Sequence, residues 1–242
     1  MPVSKKTIDL YQILRCADVC DALDSMGLQD RYEMALNMRP MFSGIRFAGT
    51  AHTQEFDRYD RKMPAMSYEE FDKKQYAAIE DGGYSSYARP GVGKYDGTSG
   101  EVLVIAARGT RAGILGSANT LSYMTKGVVG FVIDGTCRDS GECIMQRSPV
   151  FSTVRSYTHP MGRIRIKSDN EPVVCAGVYV RPGDMIVGDD DGVVCVPQDI
   201  AEEAGKRAYR IQQKDRVDRR RFYEKLGRKF DETVELLPDL GW

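Results

Sequence analysis

An arginine and two carboxylic acids stand within one short stretch of the chain, at Arg138, Asp139 and Glu142. They follow the apolar run 128–133, which predicts a strand leading into a loop that carries these side chains. Hard oxygen ligands of this kind suit Mg²⁺ or Mn²⁺, with waters filling the positions that few carboxylates leave open. Such a metal and a guanidinium together stabilise the enolate oxygen formed when a 2-oxo acid undergoes aldol cleavage or decarboxylation. The alternative interpretation is a surface ion pair between Arg138 and Asp139 at a helix start.

A second group of residues is suited to binding an anion. Gly116, Ser117, Ala118 and Asn119 open the predicted helix 117–126 directly after a turn that contains glycine. The first amides of a helix lack partners within the helix, and the helix dipole places its positive end there. This start therefore predicts a cradle for a carboxylate. The alternative interpretation is that Ser117 is an ordinary N-cap residue without a ligand.

Several other kinds of site are excluded by residues that the sequence lacks. Only two histidines are present, His52 and His159, which argues against a zinc hydrolase and against a Ser-His-Asp triad. The sequence contains no GxxxxGK(S/T) phosphate loop, no GxGxxG dinucleotide fingerprint and no CxxC pair. The run GDDDG at 188–192 predicts a tight turn rather than a calcium loop. His52 is interpreted as a satisfied strand histidine and His159 as a loop residue, with a place in a pocket as the alternative.

Composition and charge place the chain among soluble globular proteins. Of its 242 residues 42% are hydrophobic and 29% are charged, and 34 basic against 35 acidic residues leave a net charge of −1. We therefore expect no nucleic-acid partner, and no membrane partner because no apolar run approaches the ~20 residues that span a bilayer. The N-terminus lacks the features of a secretory signal. We accordingly expect a cytoplasmic protein whose six cysteines are reduced and mostly buried.

The spacing of apolar and turn-forming residues predicts an α/β fold. Strands and helices alternate in the middle of the chain, and the strand–helix–strand spacing over 101–133 implies a parallel crossover. No linker and no internal repeat is found, which favours one compact domain with flanking helices. The predicted helices cover 9–26 (with a break at Arg15-Cys16 as the alternative), 67–81, 117–126, 140–147 and 199–230. The predicted strands cover 45–53, 101–107, 128–133 and several parts of a β-rich stretch over 150–197.

Three stretches, 16–27, 113–142 and 181–197, together resemble the family of the regulator of ribonuclease activity A and the class II pyruvate aldolases. This family includes 4-hydroxy-4-methyl-2-oxoglutarate aldolase and was formerly labelled demethylmenaquinone methyltransferase-like. The similarity covers most of the chain outside about 54–99. It is carried by Gly116, Asp134-Gly135, Arg138-Asp139, Glu142 and the late GD…GDxDGVVxVP run at 183–184 and 188–197.

The resemblance implies a fold and an assembly. It implies a single swivelling-type β/β/α domain over 1–242, with N-terminal helices, a divergent insertion-like segment at 54–99 and a long C-terminal helix at 199–230. It also implies a homo-oligomer, either a trimer or a hexamer built as a dimer of trimers, in which the C-terminal helix reaches a neighbouring subunit. The apolar stripe expected on that helix consists of Ile211, Val217, Phe222 and Leu226.

The resemblance also implies roles for the residues named first. Asp139 would be the metal ligand, Glu142 would support the metal through water, and Arg138 would bind the oxo group. The amides of residues 116–119 would hold the carboxylate of a pyruvoyl group. The implied activity is that of a metal-dependent lyase acting on a small 2-oxo acid. The family's aldolases commonly carry Glu where this chain has Ser117, so a non-catalytic protein-binding regulator stays open as the alternative.

Overall fold

A single large sheet holds most of the strands. The computed structural model describes residues 2–58, 62, 64–73, 99–107 and 110–240. The strands are β1 (Arg39–Pro40), β2 (Phe47–Arg58), β3 (Glu101–Ala106), β4 (Gly113–Leu115), β5 (Gly130–Cys137), β6 (Val150–Arg155), β7 (Ile164–Asp169), β8 (Val173–Cys175), β9 (Val178–Val180), β10 (Met185–Asp189) and β11 (Gly192–Val196). Nine of these described strands form a sheet in the order β1-β6-β5-β3-β2-β10-β11, with β4 beside β5 and β7 beside β2. The remaining two, β8 and β9, form a separate antiparallel hairpin.

Helices flank the sheet and confirm the predicted mixed α/β class with a long C-terminal helix. The helices with both ends described are α1 (Lys5–Tyr11), α2 (Cys16–Asp24), α3 (Ser117–Met124), α4 (Ser140–Met145) and α5 (Ala201–Lys225). Residues 68–73 are also helical, and the rest of the helix predicted over 67–81 lies outside the described residues. None of the described helices combines the length and the apolar character that a membrane span requires.

Four neighbouring strands, β2, β3, β5 and β6, run parallel and form the middle of the sheet. β3 and the first half of β5 contain the unbroken apolar runs VLVIA and GFVI, which are typical of strands covered on both faces. The predicted crossover is confirmed, since α3 separates β3 from β5 and these two strands pair in parallel. The parallel arrangement places the carboxyl ends of β3 and β5 at the same edge of the sheet.

β5 is longer than the sequence predicts. The apolar pattern predicts a strand over 128–133 followed by a turn at Asp134-Gly135, whereas the strand runs from Gly130 to Cys137. Residues 135–137 are buried, and the end of the strand pairs with both β4 and β6. The sheet therefore continues through a dipeptide that usually marks a turn. As a result, the loop that carries the candidate residues begins immediately at the end of the strand.

The N-terminal segment forms two short helices instead of one helix over 9–26. α1 begins at Lys5, where the Ser4 hydroxyl accepts a hydrogen bond from the Thr7 amide and caps the first turn. α2 begins after Arg15, so the alternative break at this position is confirmed. Gly27 follows α2 with φ +74°, the left-handed conformation expected after a helix end.

Helices α1, α2 and α5 pack together over β10 and β11. They enclose an apolar cluster that is separate from the larger core cluster of the sheet. The Tyr11 hydroxyl donates a hydrogen bond to the Ala201 carbonyl at 2.8 Å, which joins α1 to the start of α5. Gly205 allows this close approach, since a Cβ there would lie 3.0 Å from both Leu10 and Tyr11. α5 ends at Lys225 rather than at the predicted residue 230.

Two smaller predictions are also confirmed by the structure. Asp189 pairs with Gly192 in the hairpin of β10 and β11, which leaves Asp190 and Asp191 as a tight two-residue turn. The six cysteines are free thiols, and five of them are buried.

Candidate functional site

The candidate site lies at the carboxyl end of β5, where Arg138 and Asp139 follow the strand directly. Asp139 precedes α4 as its N-cap residue and has the left-handed backbone conformation, with φ +56°. This conformation is uncommon outside glycine, and aspartate is among the residues that tolerate it best. Non-glycine residues held in such conformations cluster at functional sites. The turn sends the Asp139 side chain back toward the start of α3 rather than onto α4.

The Asp139 carboxylate joins two segments that are 22 residues apart in sequence. Its Oδ1 accepts a hydrogen bond from Arg138 Nε at 3.0 Å, and its Oδ2 accepts one from the Ser117 amide at 3.3 Å. About one third of the Arg138 and Asp139 side chains is exposed, at 33% and 32%. The two candidate groups of the sequence, the Arg-Asp loop and the start of α3, therefore meet in one place that a ligand can reach.

Two glycines create the space that this contact needs. A Cβ on Gly116 would lie 2.3 Å from Asp139 Oδ2, and a Cβ on Gly113 would lie 2.8 Å from Arg138 Cβ. Gly116 has φ −136°, an extended conformation open to any residue. The need for glycine at this position is therefore one of space and not of backbone conformation.

The start of α3 differs from an ordinary capped helix. Gly116, not Ser117, is the N-cap residue, and glycine has no side chain that could cap this end. The Ser117 amide is engaged by Asp139, so that part of the predicted cradle already holds a carboxylate of the same chain. Within the described residues, the amides of Ala118 and Asn119 make no hydrogen bond. The cradle thus presents two unpaired amides beside the Asp139 carboxylate.

Arg138 is anchored at its backbone and along its stem, which leaves part of its guanidinium for a ligand. Its amide donates to the Leu115 carbonyl at 2.9 Å, and its aliphatic chain lies against Gly113 and Gly116. Nε is engaged by Asp139, while the two terminal nitrogens bind no other described residue. A forked pair of N–H donors can therefore bind a carbonyl or carboxylate oxygen at this point.

Glu142 and Asp134 take different positions around the loop. Glu142 lies in the first turn of α4 and is exposed to solvent. Asp134 Oδ2 instead accepts a hydrogen bond from the Ala176 amide at 2.9 Å and so holds the turn between β8 and β9. Of these two carboxylates, only Glu142 belongs to the helix that begins directly after Asp139.

The carboxylates of Asp139 and Glu142 fit a hydrated Mg²⁺ or Mn²⁺ ion better than a metal whose ligands all come from the protein. In the part of the chain that the structure describes, no three His, Cys, Asp or Glu side chains converge as a metal-binding group. Mg²⁺ dehydrates reluctantly and is often held by only one or two carboxylates together with water and substrate. Asp139 and Glu142 supply two carboxylates of this kind, whereas a zinc site would need more ligands.

A buried polar layer beneath the loop holds its backbone in place. Cys137 Sγ lies 3.3 Å and Cys143 Sγ 3.8 Å from the Arg138 carbonyl, so both thiols point at the same peptide. A hydrogen bond with Cys143 and burial together raise the pKa of the Cys137 thiol, which therefore stays protonated. Thr120 hydrogen-bonds the Ser117 carbonyl at 2.9 Å and the Ser148 hydroxyl at 3.1 Å. These contacts support the loop and α3 from below.

The two histidines have different surroundings. His52 lies on β2 with Nε2 at 3.1 Å from Asp169 Oδ1, which agrees with its interpretation as a satisfied strand histidine. His159 lies half-buried in the loop after β6, and its burial, together with the charges of Arg138 and Arg163, lowers its pKa. The sequence gives only a weak signal for this position, a single histidine before Pro160.

Comparison with protein families and curated proteins gives two consistent results. A family model described as RraA-like, Aldolase/RraA, matches residues 16–195. A protein of Halalkalibacterium halodurans with the provisional name 4-hydroxy-4-methyl-2-oxoglutarate aldolase is 37% identical over 134 residues. That alignment spans 52% of this chain and 60% of the relative's own length.

Two solved structures share the fold over nearly the whole chain. An uncharacterized protein from Pseudomonas syringae pv. tomato has a TM-score of 0.70 at 24% identity, covering 96% of this chain and 94% of that one. Streptomyces coelicolor RraAS2, described as an unusual member of the RNase ES inhibitor RraA protein family, has a TM-score of 0.69 at 24% identity. The match covers 90% of this chain and 98% of the Streptomyces chain. At these identities the likeness establishes the fold alone.

Proposed function

Because this chain belongs to the RraA-like family, we propose that it is a divalent-metal-dependent lyase that cleaves a carbon–carbon bond of a 2-oxo acid. The reaction would be retro-aldol release of pyruvate or decarboxylation of oxaloacetate. One observation carries the proposal: the Arg138 guanidinium, the Asp139 carboxylate and the first amides of α3 converge at one edge of the sheet. The provisional aldolase name of a 37% identical relative supports the same class of chemistry.

The chain's own groups can bind and orient such a substrate. The unpaired amides of Ala118 and Asn119 would accept its carboxylate at the positive end of α3. The terminal nitrogens of Arg138 would donate to the 2-oxo oxygen, where negative charge grows as the enolate forms. Both donors are held in place before substrate arrives, since Arg138 is anchored at Leu115 and along Gly113. Such preorganisation lowers the barrier because the donors need no rearrangement.

A hydrated Mg²⁺ or Mn²⁺ would be held by Asp139, with Glu142 reaching it through water. When bound, the metal would supply Lewis-acid stabilisation of the enolate. The Ser117 amide and Arg138 Nε fix the Asp139 carboxylate in its orientation. Each carboxylate oxygen uses one acceptor site in these bonds and retains another for a metal or a water.

Ser117 favours decarboxylation as the reaction to test first. Retro-aldol cleavage requires a base to remove the proton of the substrate hydroxyl, and the family's aldolases commonly carry Glu at this position. Ser117 lies at the first position of α3, half-buried, and a hydroxyl is a poor base at neutral pH. Decarboxylation of oxaloacetate needs no base at that step, because carbon dioxide leaves without a proton.

We also propose that the active form is a homo-oligomer, a trimer or a hexamer. Two apolar residues of α5 remain exposed in a single chain, Val217 at 37% and Phe222 at 58%, and so does Leu226 directly after the helix, at 66%. Burying such residues in an interface contributes ~25 cal/mol per Å² of apolar surface removed from water. Light scattering should give a mass of three or six chains, and Phe222→Glu should shift it toward the monomer. A stable particle of 27.1 kDa for the unaltered protein would contradict the assembly.

The proposed activity is tested by following pyruvate release from oxaloacetate with Mg²⁺ or Mn²⁺, with and without a chelator. Metal-dependent release that the chelator abolishes would support the proposal. The free metal decarboxylates oxaloacetate slowly, so the control is Asp139→Asn at the same metal concentration. Release no faster than this control, with Mg²⁺ and with Mn²⁺ and also from 4-hydroxy-4-methyl-2-oxoglutarate, would overturn the proposal.

A non-catalytic regulator is the second candidate function. It is favoured by the contact between Asp139 and the Ser117 amide, which fills part of the cradle with a group of the chain itself. The matching test is inhibition of an RNase E-type ribonuclease on an RNA substrate. Inhibition combined with no release of pyruvate would favour the regulator over the lyase.

A further inference from the structure

We infer that an arginine-rich cluster, where the start of α2 meets α5, binds a small oxyanion of the phosphate type. Its members are Gln212, Arg216 and Arg219 of α5 and Arg46, which directly precedes β2. The amino end of β2 lies at the edge of the parallel strands opposite to the carboxyl end of β5, which carries the candidate lyase site. The inference is therefore independent of the proposed function.

Three members of the arginine-rich cluster lie on one face of α5. Gln212, Arg216 and Arg219 are spaced by four and by three residues, so they are neighbours on the helix surface. A helical side chain leans over the turn that precedes it. Arg216 therefore extends toward Gln212, and Arg219 extends toward Arg216. The three side chains form a row along the helix.

A chain of contacts brings Arg46 to this row. Arg46 Nη2 donates a hydrogen bond to the Leu14 carbonyl at 2.6 Å. The next residue, Arg15, has its Nη2 at 3.8 Å from Asp215 Oδ2, and Asp215 directly precedes Arg216. Arg46 and the row on α5 therefore flank the same junction, which is formed by the segment between α1 and α2.

The donors of the row are buried without partners. Gln212 is 0% exposed, and neither its Nε2 nor its Oε1 hydrogen-bonds any described residue. The Nε atoms of Arg216 and Arg219 are likewise buried without a hydrogen bond. Burying a polar group without a partner costs free energy. These three donors therefore favour a ligand that accepts hydrogen bonds from them.

The charges of the cluster are not balanced by nearby carboxylates. Asp18 is engaged by Arg15 through two hydrogen bonds of 2.7 Å, and Asp189 Oδ2 accepts one from the Cys16 amide. Within the described part of the chain, no carboxylate forms an ion pair with the other three guanidinium groups, those of Arg46, Arg216 and Arg219. The cluster therefore carries an excess of positive charge.

The electrostatics of Arg216 favour an anion over a water molecule. Burial is the largest cause that lowers the pKa of Arg216, and three neighbouring charges add to it, those of Arg219, Arg15 and Arg46. The guanidinium groups nevertheless stay protonated at neutral pH, so they repel one another. A water molecule would satisfy Gln212 and leave this repulsion in place. An oxyanion relieves it, because its oxygens accept from more than one guanidinium at once.

The depth of the cluster favours a small anion over a macromolecule. Gln212 is fully buried, Arg216 and Arg219 are half-buried, and Arg46 is exposed. Solvent therefore reaches the guanidinium groups from the side of Arg46, while the deepest donors lie beneath them. A compact tetrahedral anion can contact both levels, whereas a protein or nucleic-acid surface would touch only the outer one. Inorganic phosphate is the probe that matches this description.

Calorimetric titration of the full chain with inorganic phosphate tests the inference, with ionic strength held constant by KCl. We expect one phosphate per chain and ~10-fold to ~100-fold weaker binding by Arg219→Gln, since a hydrogen bond to a charged group is lost. Arg210→Gln is the matched control, because Arg210 is exposed on the opposite face of the same helix. The control should bind as the wild type does. No binding by the wild type, or equal weakening in both variants, would overturn the inference.

Gln212→Met gives a second test that does not depend on an arginine. Methionine keeps the length of the side chain and removes both polar atoms. In chloride buffer the Tm of this variant should rise, because a buried amide without a partner is removed. Phosphate should then raise the Tm of the wild type more than that of Gln212→Met, because the wild type binds it more tightly. Equal increases would overturn the inference.

Light scattering separates a small anion from a contact between copies of the chain. If a carboxylate of another copy occupied the cluster, Arg219→Gln would lower the mass of the particle and phosphate would not bind. That result would overturn the inference. An unchanged mass together with weaker phosphate binding is the expected result. Neither readout uses pyruvate release, so a failure of the lyase proposal would leave this test intact.

Discussion

Replacing Gly116 with alanine tests whether the start of α3 is shaped to admit the Asp139 carboxylate. The new Cβ would lie 2.3 Å from Asp139 Oδ2, while ordinary van der Waals contact begins at 3.4 Å. The carboxylate must therefore retreat by about 1 Å. That movement lengthens both of its hydrogen bonds, now 3.3 Å to the Ser117 amide and 3.0 Å to Arg138 Nε.

The expected effect is large on activity and small on stability. Misplacing a reacting group by about 1 Å lowers the rate ~10²-fold, so kcat/KM should fall by about that factor. The backbone of Gly116 is extended at φ −136°, which alanine adopts without strain. The affected hydrogen bonds are weakened rather than lost, and the Arg138–Asp139 pair is one-third exposed. We therefore expect the free energy of unfolding to fall by about 1–2 kcal/mol.

Gly141→Ala is the matched control for this experiment. Gly141 lies in α4, two residues beyond Asp139, and a Cβ there meets no atom within 4 Å. This variant should keep wild-type kcat/KM and gain ~1 kcal/mol of stability, because alanine is the better helix former. Pyruvate release and thermal unfolding by circular dichroism measure both quantities. Wild-type kcat/KM in Gly116→Ala would refute the reasoning that Asp139 must sit against the start of α3.

Three further outcomes are expected. Arg138→Ala and Asp139→Ala should each lower kcat/KM ~10²–10³-fold with native circular dichroism; wild-type rates in both variants would exclude this loop as the active site. Ser117→Glu should change the relative rates on oxaloacetate and 4-hydroxy-4-methyl-2-oxoglutarate with at most ~1 kcal/mol change in stability, because a helix start tolerates negative charge; an unfolded variant would show that Ser117 is structural. Burial, Arg138 and Arg163 lower the pKa of His159 below 6.5, so its stabilising contribution is present above pH 6.5 and lost as the pH falls through the folded-state pKa. The Tm of the wild type should accordingly fall more on acidification below pH 6.5 than the Tm of His159→Asn, and equal falls would contradict this account.

Local patterns were sufficient to predict much of the fold. The apolar runs over 101–107 and 128–133 predict buried strands, and the structure has β3 and β5 there. Gly27 predicts the end of α2, and the Asp and Gly residues of 188–192 predict the hairpin turn. Each of these structures is determined by a few neighbouring residues. Residue propensity and apolar periodicity are therefore sufficient to predict it.

The parts that the sequence did not predict depend on contacts between distant segments. β5 continues through Asp134-Gly135 because β4 and β6 pair with it, and turn propensity carries no information about those partners. The contact of Asp139 with the Ser117 amide combines a left-handed backbone with an absent Cβ at Gly116. Neither the turn at Asp139 nor the missing Cβ at Gly116 predicts the contact alone, because the contact requires both, and the two residues are distant in sequence.

The packing of α1 and α2 against α5 has a consequence for how the chain folds as it is synthesised. The hydrogen bond from Tyr11 to Ala201 spans 190 residues, and the apolar cluster around Leu10 is completed by residues of α5. Contacts of such sequence separation form late, because the entropy of closing the loop must be overcome first. The apolar faces of the first two helices therefore stay exposed until α5 has left the ribosome. Nascent chains paused before α5 should accordingly be the species most prone to aggregate and most dependent on chaperones.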